Sequence, residues 1–114
     1  MGVRLETYRC GRSLVVRLGG ELDLKTAGEF RDAVDHELDR HGQIQNIVLI
    51  FNEVTFIDSS GLGAILGRYK RASQMGGKLV AAGLTPQIRK IFELSGLLKI
   101  IPVCDSESQA LGLV

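Results

Sequence analysis

Ile47-Val48-Leu49-Ile50-Phe51 is an unbroken apolar run rich in β-branched residues, the mark of a strand buried on both faces. Such a strand needs a covering layer on each side, and the flanking sequence changes period accordingly. Downstream, a short loop from Asn52 to Asp58 leads into a helical stripe of Leu62, Ile65, Leu66, Tyr69 and Ala72, closed by Met75-Gly76-Gly77. Upstream, Leu24, Ala27, Phe30, Val34 and Leu38 fall on one helical stripe, with Glu29, Asp32, Asp35 and Asp39 off it. Asp23 stands where an N-cap is expected and Gly42 where a helix stops.

The same alternation continues outward. Lys78-Leu79-Val80-Ala81-Ala82 reads as a third interior strand. Thr85-Pro86 opens a helix with proline at its first position, where the missing N–H is harmless. That helix is expected to bury Ile88, Ile91, Phe92 and Leu94 and to end at Ser95-Gly96. Ile100-Ile101-Pro102-Val103 suits an edge strand, because Pro102 cannot donate to a ladder, and a short helix from Ser106 to Leu113 follows. At the other end, Val3 to Tyr8 alternates, Cys10-Gly11-Arg12-Ser13 has turn chemistry, and Leu14 to Leu18 forms the second arm of a hairpin ended by Gly19-Gly20. Strand and helix alternate after that hairpin. The expectation is one α/β domain over residues 1–114, with a mixed, mainly parallel sheet of four to five strands and about four helices.

Composition narrows the function classes. The 114 residues are 45% hydrophobic and 24% charged, the range of a globular domain. A formal net charge of +1 argues against nucleic-acid binding by phosphate neutralisation. The apolar runs are far shorter than the ~20 residues of a membrane span, and Arg4, Glu6 and Arg9 interrupt any leader-like stretch. Cys10 and Cys104 form neither a metal-ligand nor a disulfide pattern. A cytoplasmic protein with no metal, cofactor or membrane is expected. From Ser59 to Phe92 every charged side chain is basic, a possible interaction face or a solvated surface.

In an open α/β sheet, function gathers beyond the carboxyl ends of the strands. Gly20-Glu21-Leu22-Asp23 and Asp58-Ser59-Ser60-Gly61-Leu62-Gly63 both arrive there. The second segment sets two hydroxyls and several free N–H groups at a helix start, where negative charge is favoured. A single capping residue would satisfy that turn, and here three stand in a row. Gly63 and Gly67 share a helix face away from the Leu62/Leu66 stripe, and each disfavours the helix by roughly 1 kcal/mol relative to alanine. Their smallness must serve packing within the domain or the approach of another protein. No phosphate-loop or dinucleotide fingerprint is present. A serine nucleophile would lack a base, since His36 and His41 lie at the far end of the first helix.

Taken with Gly76-Gly77-Lys78-Leu79 and Phe92-Glu93-Leu94-Ser95-Gly96-Leu97, these motifs resemble the bacterial anti-sigma factor antagonists, the STAS domain. Ile65-Leu66-Gly67-Arg68-Tyr69-Lys70 and Leu98-Lys99-Ile100-Ile101 make the chain most like members of the sporulation sigma-F pathway. The resemblance implies a switch protein, not an enzyme. The unphosphorylated form binds an anti-sigma factor that is also a serine kinase and makes it release its sigma factor. The kinase modifies the first serine of the Asp-Ser-Ser motif, here Ser59, and a serine phosphatase restores it. The resemblance carries Asp23 over as a contact, and joined to the reading of the residues it gives an expected partner surface of Asp23, Asp58, Ser59, Ser60, Gly61, Gly63 and Gly67. The alternative from another class is a STAS-like nucleotide-binding or sensory module, with phosphates at the Ser59 to Gly63 helix start.

Overall fold

The structure, a computed structural model, describes residues 2–114; residue 1 of the expected domain lies outside them. Strands β1 (Val3–Cys10) and β2 (Ser13–Leu22) form the hairpin, followed by α1 (Ala27–Arg40), β3 (Asn46–Ile57), α2 (Ser59–Gln74), β4 (Leu79–Ala82) and α3 (Pro86–Leu94). A 3-10 turn (Leu97–Lys99), β5 (Val103–Cys104) and α4 (Glu107–Leu111) complete the described chain. The sheet runs in the order β1-β2-β3-β4-β5, with β1 antiparallel to β2 and every other neighbouring pair parallel. The fold is therefore the expected mixed, mainly parallel α/β domain.

The run that decided the fold is at its centre. Ile47, Val48, Leu49 and Phe51 are fully buried. Ile47, Leu49 and Phe51 pack with Leu14, Val16, Phe30, Val34, Ile65, Ala72 and Phe92 in the main core. Val48 and Ile50 face the other way, against Val15, Val80 and Ala110 of α4. Phe51 and Phe92 meet edge to face at 5.5 Å between ring centres, a favourable aromatic geometry. The small α4 is fastened over its side of the sheet by Glu107, which accepts from Arg17 Nε and Nη2 at 2.9 Å each and from the Tyr8 hydroxyl. Those hydrogen bonds hold the Glu107 carboxyl below the usual carboxylate range, against a smaller opposing effect of burial.

Several boundaries differ from the sequence reading. Gly19-Gly20 does not end β2, which continues to Leu22 with register shifts around Gly19 and Gly20. Gly20 has φ +87°, and a Cβ there would come within 2.3 Å of the Gly2 carbonyl oxygen, so glycine serves here to keep the strand going. The expected loop from Asn52 is instead the end of β3, because Glu21 and Leu22 pair with Phe56 and Ile57. Helix α1 begins at Ala27, and Leu24 is 79% exposed, outside the core stripe. Leu94 is also exposed, at 76%. The edge strand lies beyond Pro102, at Val103–Cys104. Arg68 and Arg71 of the basic run are not free surface: both face Asp35 of α1, and Arg71 also reaches Asp39 at 2.6 Å.

Candidate functional site

The carboxyl ends of β2 and β3 lie side by side, and the turns leaving them are interlocked. Asp58 caps α2 through Oδ1, which accepts from Ser60 N–H at 2.9 Å and Gly61 N–H at 3.1 Å. Its Oδ2 accepts from Leu24 N–H at 3.2 Å, and its own N–H donates to the Leu22 carbonyl, also at 3.2 Å. Gly61 presses against the same carbonyl. A Cβ on Gly61 would stand 2.2 Å from the Leu22 oxygen. One carboxylate thus joins the start of α2 to the loop before α1.

That loop has its own internal frame. Asp23 does not cap α1; Thr26 occupies the N-cap position without a side-chain cap bond. Asp23 Oδ1 instead accepts from Lys25 N–H at 3.0 Å and Thr26 N–H at 3.2 Å, an Asx turn. Thr26 Oγ1 donates to the Glu21 carbonyl at 2.7 Å and accepts from Asp23 N–H at 2.9 Å. The loop is held at both ends, and it presents Leu24 and Lys25 to solvent beside α2.

Ser59 is the first residue of α2 and is exposed, while Ser60 is half-buried. The expected set of free N–H groups at this helix start is smaller than the sequence implied. Ser60 and Gly61 give theirs to Asp58 Oδ1, and Leu62 donates to the Asp58 carbonyl at 3.0 Å. Ser59 N–H has no acceptor among the described residues. The arrangement displays a hydroxyl next to a carboxylate already committed to capping; it is not a phosphate cradle. His36 and His41 belong to the C-terminal half and end of α1, where His41 faces Glu37 at 3.8 Å. Among the described residues no His/Cys/Asp/Glu cluster suits a metal ion, and no helix is long and apolar enough to cross a membrane.

The remaining sequence-predicted residues divide. Gly61 is buried, and its smallness serves packing onto Leu22 inside the domain. Gly63 is exposed and Gly67 half-buried, and a Cβ at either would meet nothing within 4 Å. Internal packing therefore does not account for these two glycines. The sequence reading missed Arg68, which lies with Ile65 and Ala72 on the buried side of α2. The signal was its spacing, three residues after Ile65 and four before Ala72.

The fold has known counterparts. Residues 4–110 match the model of the STAS domain, and the chain belongs to that family. It is 40% identical to the anti-sigma F factor antagonist of Paenibacillus polymyxa over 111 residues, 97% of this chain and 94% of that one. It is 33% identical to the anti-sigma-B factor antagonist of Listeria monocytogenes over 95 residues, 83% and 82% of the two chains. The Bacillus cell fate determinant SpoIIAA, solved in its phosphorylated form, is similar in structure with a TM-score of 0.75 at 27% identity. The match covers 96% of this chain and 97% of that one. Both sequence relatives carry the name of anti-sigma factor antagonists.

Proposed function

We propose that this protein is an anti-sigma factor antagonist whose binding is switched by phosphorylation of Ser59. In its unphosphorylated form it binds an anti-sigma factor with serine kinase activity and causes release of the sigma factor, as in sporulation-type control of transcription. The kinase then modifies Ser59, binding is lost, and a serine phosphatase resets the switch. The observation that carries this reading is the placement of Ser59. It is an exposed hydroxyl on the first residue of a helix whose cap, Asp58, also fixes the neighbouring loop through Leu24.

The physical consequence of modification follows from that placement. A phosphoryl group brings about −1.5 to −2 charges. It arrives beside Asp58, where the N–H groups of Ser60 and Gly61 are already taken. Of the first-turn N–H groups only that of Ser59 itself is free to meet it, so the added charge stays at the contact surface and repels a partner fitted to the neutral hydroxyl. Asp23, Asp58, Ser60, Gly63 and Gly67 belong to that surface in this reading. Ser59 acts here as the substrate of a kinase, not as a catalytic nucleophile.

The test is reconstitution. Unphosphorylated protein added to the purified complex of the kinase-type anti-sigma factor and its sigma factor should free the sigma factor, and protein phosphorylated on Ser59 should not. Equal release by both forms would end the proposal.

A further inference from the structure

The seam between α1 and α2 holds a cation that the fold leaves short of acceptors. Beside Ser60 the two helices part into a groove of about 430 Å³, walled by Leu24, Gly28, Gly63 and Ala64, with Arg31 and Arg68 as its cationic lining. Arg68 is only 9% exposed. The carboxylate facing it is Asp35, with Oδ1 3.3 Å from Arg68 Nε but off the hydrogen-bond direction. Arg68 Nε, Arg68 Nη1 and Asp35 Oδ1 are all buried without a hydrogen bond. Asp35 is also shared, since Arg71 Nη1 lies 3.1 Å from the same oxygen. Arg31 lies over Gly28, its Nη2 3.5 Å from where a Cβ would stand, and its ion pair with Asp32 is exposed to solvent.

Burial pushes the Arg68 pKa below the ordinary arginine value; Asp35 opposes the shift, and Arg31 and Arg71 add to it. Packing α1 on α2 does not call for such a group, because an aliphatic side chain fills a helix seam without a half-satisfied charge. Its Nε and Nη1 are sealed from outside, so an arriving acceptor meets Arg68 through Nη2, alongside the exposed Arg31. Arginine's planar fork suits a carboxylate, and the apolar walls suit the methylene stem that carries one.

We infer that the α1–α2 groove receives an acidic side chain of the protein partner, with Arg68 and Arg31 as its donors. The inference rests on the partner-binding reading above and gives the contact surface a second chemistry. The edge at Asp23 and Asp58 is acidic, whereas the groove that adjoins it at Leu24 and Ser60 is lined by two arginines. A fitting partner must set a carboxylate beside whatever group meets Asp58, and that demand confers specificity.

The experiment is calorimetric titration of the kinase-type anti-sigma factor with four unphosphorylated proteins: wild type, Arg31→Gln, Arg68→Leu and Arg12→Gln. Arg12, in the β1–β2 turn, controls for net charge at a distance from the groove. Removing one side of a charge-assisted pair should weaken binding about tenfold or more for Arg31→Gln and Arg68→Leu, and less than about twofold for Arg12→Gln. Arg31 is exposed, so its variant should melt like wild type and keeps the test valid if Arg68→Leu fails to fold. If wild type binds and Arg31→Gln stays within about threefold of it, the groove inference is overturned and the switch reading stands. If wild type does not bind, the switch reading falls and the groove inference falls with it.

Discussion

Asp58 holds Leu24 in place: its Oδ2 accepts the Leu24 N–H at 3.2 Å while its Oδ1 caps α2 through Ser60 and Gly61. The motif that presents Ser59 therefore also sets the shape of the loop that carries Asp23. The two sequence segments are separate in the chain and are joined in the fold.

Asp58→Asn and Asp58→Ala should separate these two duties. Asparagine keeps an oxygen for the α2 cap but offers an amide where Leu24 needs an acceptor. Alanine loses both, and a lost N-cap costs about 1–2 kcal/mol. Denaturant unfolding should rank wild type above Asn and Asn above Ala, and amide exchange at Leu24 should quicken in both variants. Slow exchange at Leu24 in Asp58→Ala would show that the loop does not depend on the carboxylate.

Gly61→Ala should be poorly tolerated, because a methyl group would stand 2.2 Å from the Leu22 carbonyl oxygen. Forced overpacking of this kind destabilises by about 1–3 kcal/mol, or a fall in melting temperature of roughly 5–15 °C in a domain of this size. Thermal melting checks it.

Gly67→Gln should behave in the opposite way. Nothing lies within 4 Å of a Cβ at Gly67, and glutamine is the better helix former by up to about 1 kcal/mol. Melting should be unchanged or slightly higher, while binding to the anti-sigma factor falls sharply as the larger side chain holds two surfaces apart. A variant that binds like wild type would move the contact surface away from this face of α2.

Stability should carry a pH signature from Glu107. Arg17 and Tyr8 hold its carboxyl below the ordinary glutamate value in the folded state. A depressed carboxyl pKa stabilises the fold above the unfolded-state value of about 4.3, and the contribution is lost as pH falls through the folded value. Glu107→Gln should therefore melt below wild type at pH 7, and the gap should close below about pH 4. A constant gap across that range would mean that the charge on Glu107 does not fasten α4.

Much of this architecture was legible because it is local. Ile47–Phe51 announced a central strand through unbroken apolarity, and Thr85-Pro86 announced the start of α3, where Thr85 caps in the structure; at α2 the sequence left the cap among Asp58, Ser59 and Ser60, and Asp58 takes it. The errors arose where a distant pairing decided the outcome. Asn52 to Ile57 reads as a loop in isolation and becomes a strand because the end of β2 lies alongside it. Gly19-Gly20 reads as a stop, but Gly20 is there because the Gly2 carbonyl passes too close for a side chain. Leu24 continues a helical stripe on paper, but the Asp23 turn and the Asp58 hydrogen bond hold it outside α1. At the site, the motif set Ser59 at a helix start and left the cap open among three residues. It did not reveal that Asp58 occupies the N–H groups a phosphate would have used, nor that Arg68 is buried against Asp35.

The central claim is that Ser59 is the switch, and site-resolved phosphorylation tests it most directly. The unphosphorylated protein is incubated with the kinase-type anti-sigma factor and ATP, its modified residue is located by mass spectrometry, and the product is titrated against the same kinase. The account predicts a single phosphoryl group on Ser59, none on a Ser59→Ala variant that still binds, and loss of binding by the modified protein. A phosphoryl group on Ser60 with Ser59 unmodified, or undiminished binding after modification of Ser59, would contradict it.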